Sequence, residues 1–396
     1  MPRSTDTWLA KLLELIDGEL EQAVQLRHRL HEYPELAHRE LRTASIVAEA
    51  LPVACATVAG TGRLARIGPA AGRALAIRAE LDGLPIHERT NAPFSAAGDA
   101  MHACGHDVHM AALVALMRAA HALGDALPAP LLAIFQPSEE AFPSGAEQLA
   151  RDRQLADHAP AAVLAAHVHP ELPWGAVALD AGAVNASSDS VEIVVEGEPS
   201  HGAYPHHGRD PVLAIAQIVV ALHALAARRI DPLGPTVLNV GVLEGGGAEN
   251  VIPARARARA TIRALRPQDR MALRVLVAQV VEGVAAAHGC RGSAELVPGE
   301  PPLENDPEIV AHARALFAQG GLEQAPEWRS CGSDDFSFFG EIAPVAMAFV
   351  GLDGAPGFTA RPLHHPELLP PDEAVAAVAR TQAVLYAGAA ASLDRG

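Results

Sequence analysis

Residues 101–109 read Met-His-Ala-Cys-Gly-His-Asp-Val-His, which places one thiol, one carboxylate and three imidazoles in nine positions just before an apolar helical stretch. Thiolate and imidazole are good donors for Zn²⁺ and similar ions, so metal ligation accounts for this density better than packing does. The competing account is a plain helix entry in which Asp107 caps and the histidines are solvated. Gly105, between Cys104 and His106, lets the backbone turn so that both side chains face one ion. A second group, Gln136-Pro137-Ser138-Glu139-Glu140, follows an apolar run ending at Phe135. Adjacent side chains past a strand end are expected to diverge, so one glutamate can bind metal while the other stays free as a base. An acidic helix start favoured by the dipole explains the same residues equally well. His167 and His169 before Pro170, and His364-His365-Pro366, are weaker signals that read as readily as surface histidines.

The elements that must position these groups are legible from periodicity. Leu9, Leu12, Leu13, Ile16, Leu20 and Val24 predict a helix over 8–31, and a second is expected over 41–51. Apolar runs at 74–77, 131–135, 162–166 and 345–350 show little alternation, as expected of strands buried on both faces of a largely parallel sheet. With a helix over 108–123 between them, the class is α/β. Residues 190–300 differ: an alternating strand, a proline-led helix at 211–227, a strand at 236–243, an Arg/Ala alternation at 255–263, a helix at 268–288 and a strand at 293–297. That β-α-β-β-α-β order is the split unit of ferredoxin-like domains. The expected organisation is therefore a catalytic domain in two pieces, 1–183 and 302–396, with an inserted domain at 184–301.

Composition narrows the chemistry. The chain of 396 residues carries 30 basic against 47 acidic residues, a net charge of −17. This disfavours nucleic acid and anionic membrane as partners, since both attract positive surfaces. Lys11 is the sole lysine, which excludes a Walker-type phosphate loop, a pyridoxal phosphate Schiff base and a kinase ATP lysine. The first residues lack the apolar core of a signal peptide. No apolar stretch reaches the ~18 residues of a membrane span without polar interruption. Cys55, Cys104, Cys290 and Cys331 lie far apart, which suits buried thiols or a metal ligand in a reducing compartment. A cytosolic protein is expected.

Taken together, the motifs resemble the M20 metallopeptidases, and more closely the amidohydrolase branch that includes hippurate hydrolases, N-acyl-amino-acid amidohydrolases and plant auxin-conjugate hydrolases. The resemblance runs through Arg27-His28-Arg29-Leu30-His31 with Pro34-Glu35, Arg78-Ala79-Glu80-Leu81-Asp82-Gly83-Leu84-Pro85, the Cys104 segment, Gln136 to Glu140, His201-Gly202-Ala203-Tyr204-Pro205-His206, Asn250-Val251-Ile252-Pro253, Gly332-Ser333-Asp334-Asp335-Phe336 and Leu363-His364-His365-Pro366. It implies a zinc-exopeptidase-like catalytic domain and an inserted lid and dimerisation domain. It further implies a two-metal site per subunit ligated by Cys104, His106, Glu140, His167 and His364, with Glu139 as general base and Asp82 as a second catalytic acid. Zn²⁺, Mn²⁺, Co²⁺ and Ni²⁺ all suit that donor set, Zn²⁺ and Mn²⁺ being preferred. By the same resemblance His201, carried on the lid of a partner subunit, stabilises the oxyanion, while Asn250 and Arg263 hold the substrate carboxylate. Arg263 also reads as an exposed strand arginine like Arg255, Arg257 and Arg259. Two positions depart from the family pattern. Glu80 stands where Asp is common, which sets a longer carboxylate beside the metal site, and Asp334 stands where Glu is frequent. The expected reaction is hydrolysis of an N-acyl amino acid; the alternatives are a dipeptidase, an N-carbamoyl amidohydrolase and a non-catalytic metabolite-binding homologue.

Overall fold

In the computed structural model, which describes residues 5–393, the chain divides into two compact units. One comprises residues up to 182, 304–328 and 335 onward; the other comprises 183–303 and 329–334. The first is built on an eight-stranded sheet in the order Ala56–Val58, Gly62–Ile67, Leu131–Gln136, Leu75–Glu80, Ala162–Pro173, Val345–Asp353, Ala176–Ala178, Glu323–Gln324. Its four central strands are parallel. Leu75–Glu80 and Leu131–Gln136 are buried at every position, their apolar runs as expected and the polar Arg78, Glu80 and Gln136 with them.

Helices Thr5–Glu32, His106–Leu123 and Ala374–Leu393 pack together in one apolar core with this sheet. Along the first of them Leu9, Leu12, Leu13 and Ile16 are buried, the stripe that a 3.6-residue repeat presents to a core. Each such side chain contributes about 2 kcal/mol of burial.

Two features depart from the sequence reading. Ala162–Pro173 does not stop before His167 but runs on for 12 residues, because Val345–Asp353 pairs alongside, with Phe349 opposite His167 and Gly351 opposite His169. His167 is therefore a mid-strand residue, fixed by the sheet ladder on both sides of it in sequence. The helix Ala374–Leu393 was not foreseen, because it is buried nearly all round and so lacks the polar face that betrays a period.

The second unit carries a four-stranded antiparallel sheet ordered Thr236–Gly245, Arg255–Ala264, Ser187–Glu196, Arg291–Val297. Ala256, Ala258 and Ala260 are buried while Arg255, Arg257 and Arg259 point outward, so strand alternation selects one covered face. Helices Pro211–Arg229 and Pro267–Ala287 supply the cover through Ile215, Ile218, Leu222, Leu273, Val277 and Val281. Asp210 caps the former by accepting hydrogen bonds from the Val212 and Leu213 amides, with Pro211 in the first turn.

Candidate metal centre

The parallel strands Leu75–Glu80 and Leu131–Gln136 end level, with Glu80 opposite Gln136. The chain beyond them delivers Asp82 on one side and Ser138 to Glu140 on the other, at the carboxyl edge where α/β sheets place ligands. His106 begins the helix that follows the Cys104 turn. Gly105 there has φ +79° and adds no side-chain cap; a Cβ at this position would lie 2.5 Å from Val168 Cγ2. The glycine thus meets both a left-handed backbone and a close strand.

Asp107 does not cap the helix. Its Oδ2 accepts from Arg27 Nε and His31 Nδ1, each at 3.0 Å, and all three side chains are fully buried. The histidines of the segment are not solvated either: His102, His106 and His109 are each at most 1% exposed. The plain helix-entry account therefore fails on both counts.

The structure brings Cys104, His106, Glu139, Glu140, His167 and His364 together. Ligand atoms of Cys104, His106 and Glu140 lie within 4.8 Å of one another, as do those of Glu80, His106, His109 and His167. Cys104 Sγ is 3.5 Å from His167 Nε2, and His364 Nε2 is 3.3 Å from Glu140 Oε1. The His364 amide donates to Ala103 O at 2.8 Å, tying its loop to the Cys104 turn. Glu139 and Glu140 both flank His106, but the close group of ligand atoms formed with Cys104 and His106 includes Glu140 and not Glu139. His106 Nε2 is 3.9 Å from Glu139 and 4.0 Å from Glu140. Ser138 takes φ +52°, turning the chain just ahead of both residues, and Glu140 N–H donates to Asp82 Oδ2 at 2.9 Å.

Hydrogen bonds select the tautomers. His106 Nδ1 lies 2.9 Å from the Asp82 carbonyl, which can only accept, so Nδ1 carries the proton and Nε2 presents its lone pair. That Nε2 is buried without a hydrogen-bond partner. In the same way His167 Nδ1 donates to Val168 O at 2.6 Å, leaving Nε2 toward Cys104.

The carboxylates around the His106 ring attract positive charge. Burial opposes a charge on His106, yet Glu80, Asp82 and Glu140 outweigh it and raise its pKa. Burial pushes Asp82 up to about 6 and holds His167 well below the usual imidazole value. Clustered carboxylates around an orphaned buried imidazole nitrogen, with a thiol beside them, are the donor set of a divalent cation. The residues present fit such an ion.

Around the centre lie bonds that the sequence did not reveal. His109 donates from Nδ1 to Glu80 Oε2 at 2.9 Å and accepts the Val168 amide at Nε2, 3.0 Å away. Glu80, the departure from the family pattern, also pairs with Arg78, which reaches Gln136 at 2.8 Å and Asp335 at 3.0 Å. Burial works against the Glu80 charge, but Arg78 and His109 hold its carboxyl well below the usual range. His31 bridges Asp107 and Glu88, at 3.0 and 3.1 Å; against burial, those carboxylates raise it to about 9. The four-residue spacing of Arg27 and His31, which puts both on one helix face, was the signal available for this network. His102 is pushed down to about 3 by burial.

The remaining candidates lie in the second unit. His201 and Val251 are paired in a short antiparallel ladder, and Gly202 N–H donates to Asn250 O at 2.7 Å, so His201 and Asn250 are neighbours. A cavity of about 590 Å³ beside them is lined by Gly202, Pro205, Gly246, Glu249 and Val251. Arg263 stands apart, donating to Cys331 O at 3.1 Å and Ser333 Oγ at 3.3 Å.

The profile of Peptidase family M20/M25/M40 matches residues 76–387. The chain is 33% identical over 352 residues to an N-acetyl-L-cysteine deacetylase of Bacillus subtilis, covering 87% of this chain and 83% of that protein. It is 31% identical over 380 residues to an N-acetyldiaminopimelate deacetylase of Bacillus licheniformis, covering 94% and 100%. Among solved structures, a Bacillus subtilis protein described as a dinuclear metal-binding peptidase from the M20 family superposes with a TM-score of 0.80 at 28% identity, over 94% of this chain and 98% of that one. A putative aminohydrolase from methicillin-resistant Staphylococcus aureus gives 0.87 at 26% identity, over 95% and 98%.

Proposed function

The chain belongs to Peptidase family M20/M25/M40 and is a hydrolase acting on linear amides, and from that premise we propose that it cleaves N-acyl amino acids to a carboxylic acid and the free amino acid. The observation that carries this reading is the convergence of the buried Cys104, His106 and His167 with Glu140 and the half-exposed His364 beside a second carboxylate, Glu139. Relatives named as deacetylases of N-acetylcysteine and N-acetyldiaminopimelate support the substrate class.

In this reading the five residues hold two divalent ions per subunit. The ions supply Lewis acidity to an amide carbonyl and acidify water. The thiolate and imidazoles favour Zn²⁺, and the carboxylate accommodates Mn²⁺. Glu139, beside His106, accepts the water's proton and delivers it to the departing nitrogen. Asp82 orients His106 through its carbonyl and Glu140 through its carboxylate. His201 donates to the developing oxyanion, and Asn250 and Arg263 hold the substrate carboxylate.

The second unit is read as a ferredoxin-like lid through which two subunits pair. Its helix Pro211–Arg229 leaves Val212, Leu213, Val220 and Leu225 exposed, and Thr236–Gly245 is an edge strand of its sheet. Those are the features of a surface awaiting a partner. A cytosolic location, where the Cys104 thiol stays reduced, belongs to the same reading.

The test is a panel of N-acetyl-, N-benzoyl- and N-carbamoyl-amino acids and dipeptides, offered to apo-enzyme reloaded with each metal. Turnover of N-acyl amino acids, dependent on metal, is expected. Turnover confined to dipeptides or carbamoyl compounds would displace the proposed substrate class, and none at all would displace catalysis.

A further inference from the structure

Ser138 is fully buried and left-handed, and the two carboxylates next in sequence both lie close to one imidazole. A non-glycine residue takes that conformation only where its surroundings enforce it. The enforcing group is Glu40, a carboxylate wholly removed from solvent and far away in sequence. Glu40 Oε1 accepts from the Ser138 amide at 2.8 Å and the His38 amide at 3.0 Å, and Oε2 accepts from the Thr61 hydroxyl at 2.7 Å. His38 is itself left-handed, with φ +65°, and its amide and Nδ1 each lie 2.9 Å from Ser138 Oγ. One buried carboxylate therefore clamps two strained residues from different loops, and charge-assisted bonds of this kind are the strong ones.

On the far side of the same loop Asp82 accepts the Glu140 amide. The segment Ser138 to Glu140 is thus gripped at both ends by carboxylates, with the Glu139 and Glu140 side chains projecting between the grips. The torsions of Ser138 set the direction in which the chain leaves it, and so carry Glu139 and Glu140 together toward His106.

We infer that Glu40 is a positioning residue that holds Ser138 left-handed and thereby aims the Glu139 base and the Glu140 ligand at the same centre. The inference rests on the roles proposed above for Glu139 and Glu140. It assigns Glu40 no contact with substrate or metal.

The test exploits glycine, which adopts a left-handed backbone without steric cost. Glu40→Ala should lower kcat by about 10²-fold with KM nearly unchanged, the scale of a misplaced catalytic group, and should weaken metal affinity in an equilibrium titration with Zn²⁺ or Mn²⁺. Amide exchange in the peptide spanning 136–142 should quicken while the core strands stay protected. Adding Ser138→Gly to Glu40→Ala should restore much of the loss, whereas adding Ser138→Ala should not. A general destabilisation would behave oppositely, since a new glycine loosens the chain further. Glu40→Gln, which keeps an oxygen for both amides, should stay close to wild type.

Should Glu40→Ala fail to fold, Glu40→Asp, one methylene short of Ser138, takes its place in the same comparison. Wild-type kcat, metal affinity and exchange in a folded variant would overturn the inference. So would a loss that Ser138→Gly does not relieve, or a Glu40→Gln as impaired as Glu40→Ala. A wild-type enzyme inert on every acyl amino acid would sink the proposed function alone, because the exchange measurement needs neither substrate nor metal.

Discussion

Glu139 and Glu140 sit at nearly the same distance from His106 Nε2, so proximity alone does not divide their labour. The surroundings do. Glu140 also faces His364 at 3.3 Å, and, against burial, His364 and His106 lower its pKa, as suits a ligand that must stay ionised. Glu140→Gln should accordingly lose bound metal, while Glu139→Gln should keep it and lose roughly 10²-fold or more in kcat. Elemental analysis beside steady-state kinetics checks both, and two mutants behaving alike would refute the division. A second residue-scale expectation concerns His31. Its pKa is raised in the folded state to about 9, so its charge stabilises the fold fully below the unfolded value near 6.5, and that stabilisation is lost as pH rises through 9. The stability difference between wild type and His31→Gln, on the order of 3 kcal/mol at its largest, should be greatest below pH 6.5 and shrink toward pH 9 in denaturant titrations. A difference that grows with pH would mean that His31 is neutral in the folded protein.

The turn from Gln136 to Gly145 shows what an element contributes beyond its residues. Gly145 N–H donates to Ser138 O at 3.0 Å, and a Cβ on Gly145 would come within 1.6 Å of Pro137 O. Backbone cannot yield as a side-chain tip can. Gly145→Ala should therefore cost at least about 2 kcal/mol in unfolding measurements and also displace Glu139 and Glu140, lowering metal content. Intact metal binding would show that the turn can open elsewhere. The same turn marks the limit of sequence reading. Cys104, His106 and the two glutamates could be picked out because their types are rare together, and the buried parallel strands because their runs are unbroken. The placement of both glutamates beside His106 could not, since the chain enters them through a left-handed serine tied to Glu40, and serine carries no warning of positive φ. His109 was visible as a histidine, but its bond to Glu80 needs the register of a helix against a strand, which periodicity does not supply. The Ala374–Leu393 helix stayed hidden for the reverse reason: burial on nearly every side erases the pattern that reveals a helix.

At the scale of the whole molecule, the proposed pairing of subunits through the second unit makes each active site a product of two chains. His201→Ala and Glu139→Gln should each be inactive alone. Co-refolded, they should form mixed dimers in which one site bears both lesions and the other neither, and activity should return. Mixed dimers that form and stay dead would place His201 within its own subunit or outside the chemistry. The strand order of the first unit has a separate consequence, for the protein's synthesis. Its central strand Val345–Asp353 and its helix Ala374–Leu393 come from the far end of the chain, yet they pack against Ala162–Pro173 and the helices Thr5–Glu32 and His106–Leu123. While a ribosome is still translating the middle of the message, the early strands and helices must wait with their apolar faces uncovered. The second unit, whose strands and helices are nearly continuous in sequence, can complete its own core in that interval. The nascent chain should thus gain its first protease-resistant body from the middle of the sequence, and the early segments are where a chaperone would have to bind.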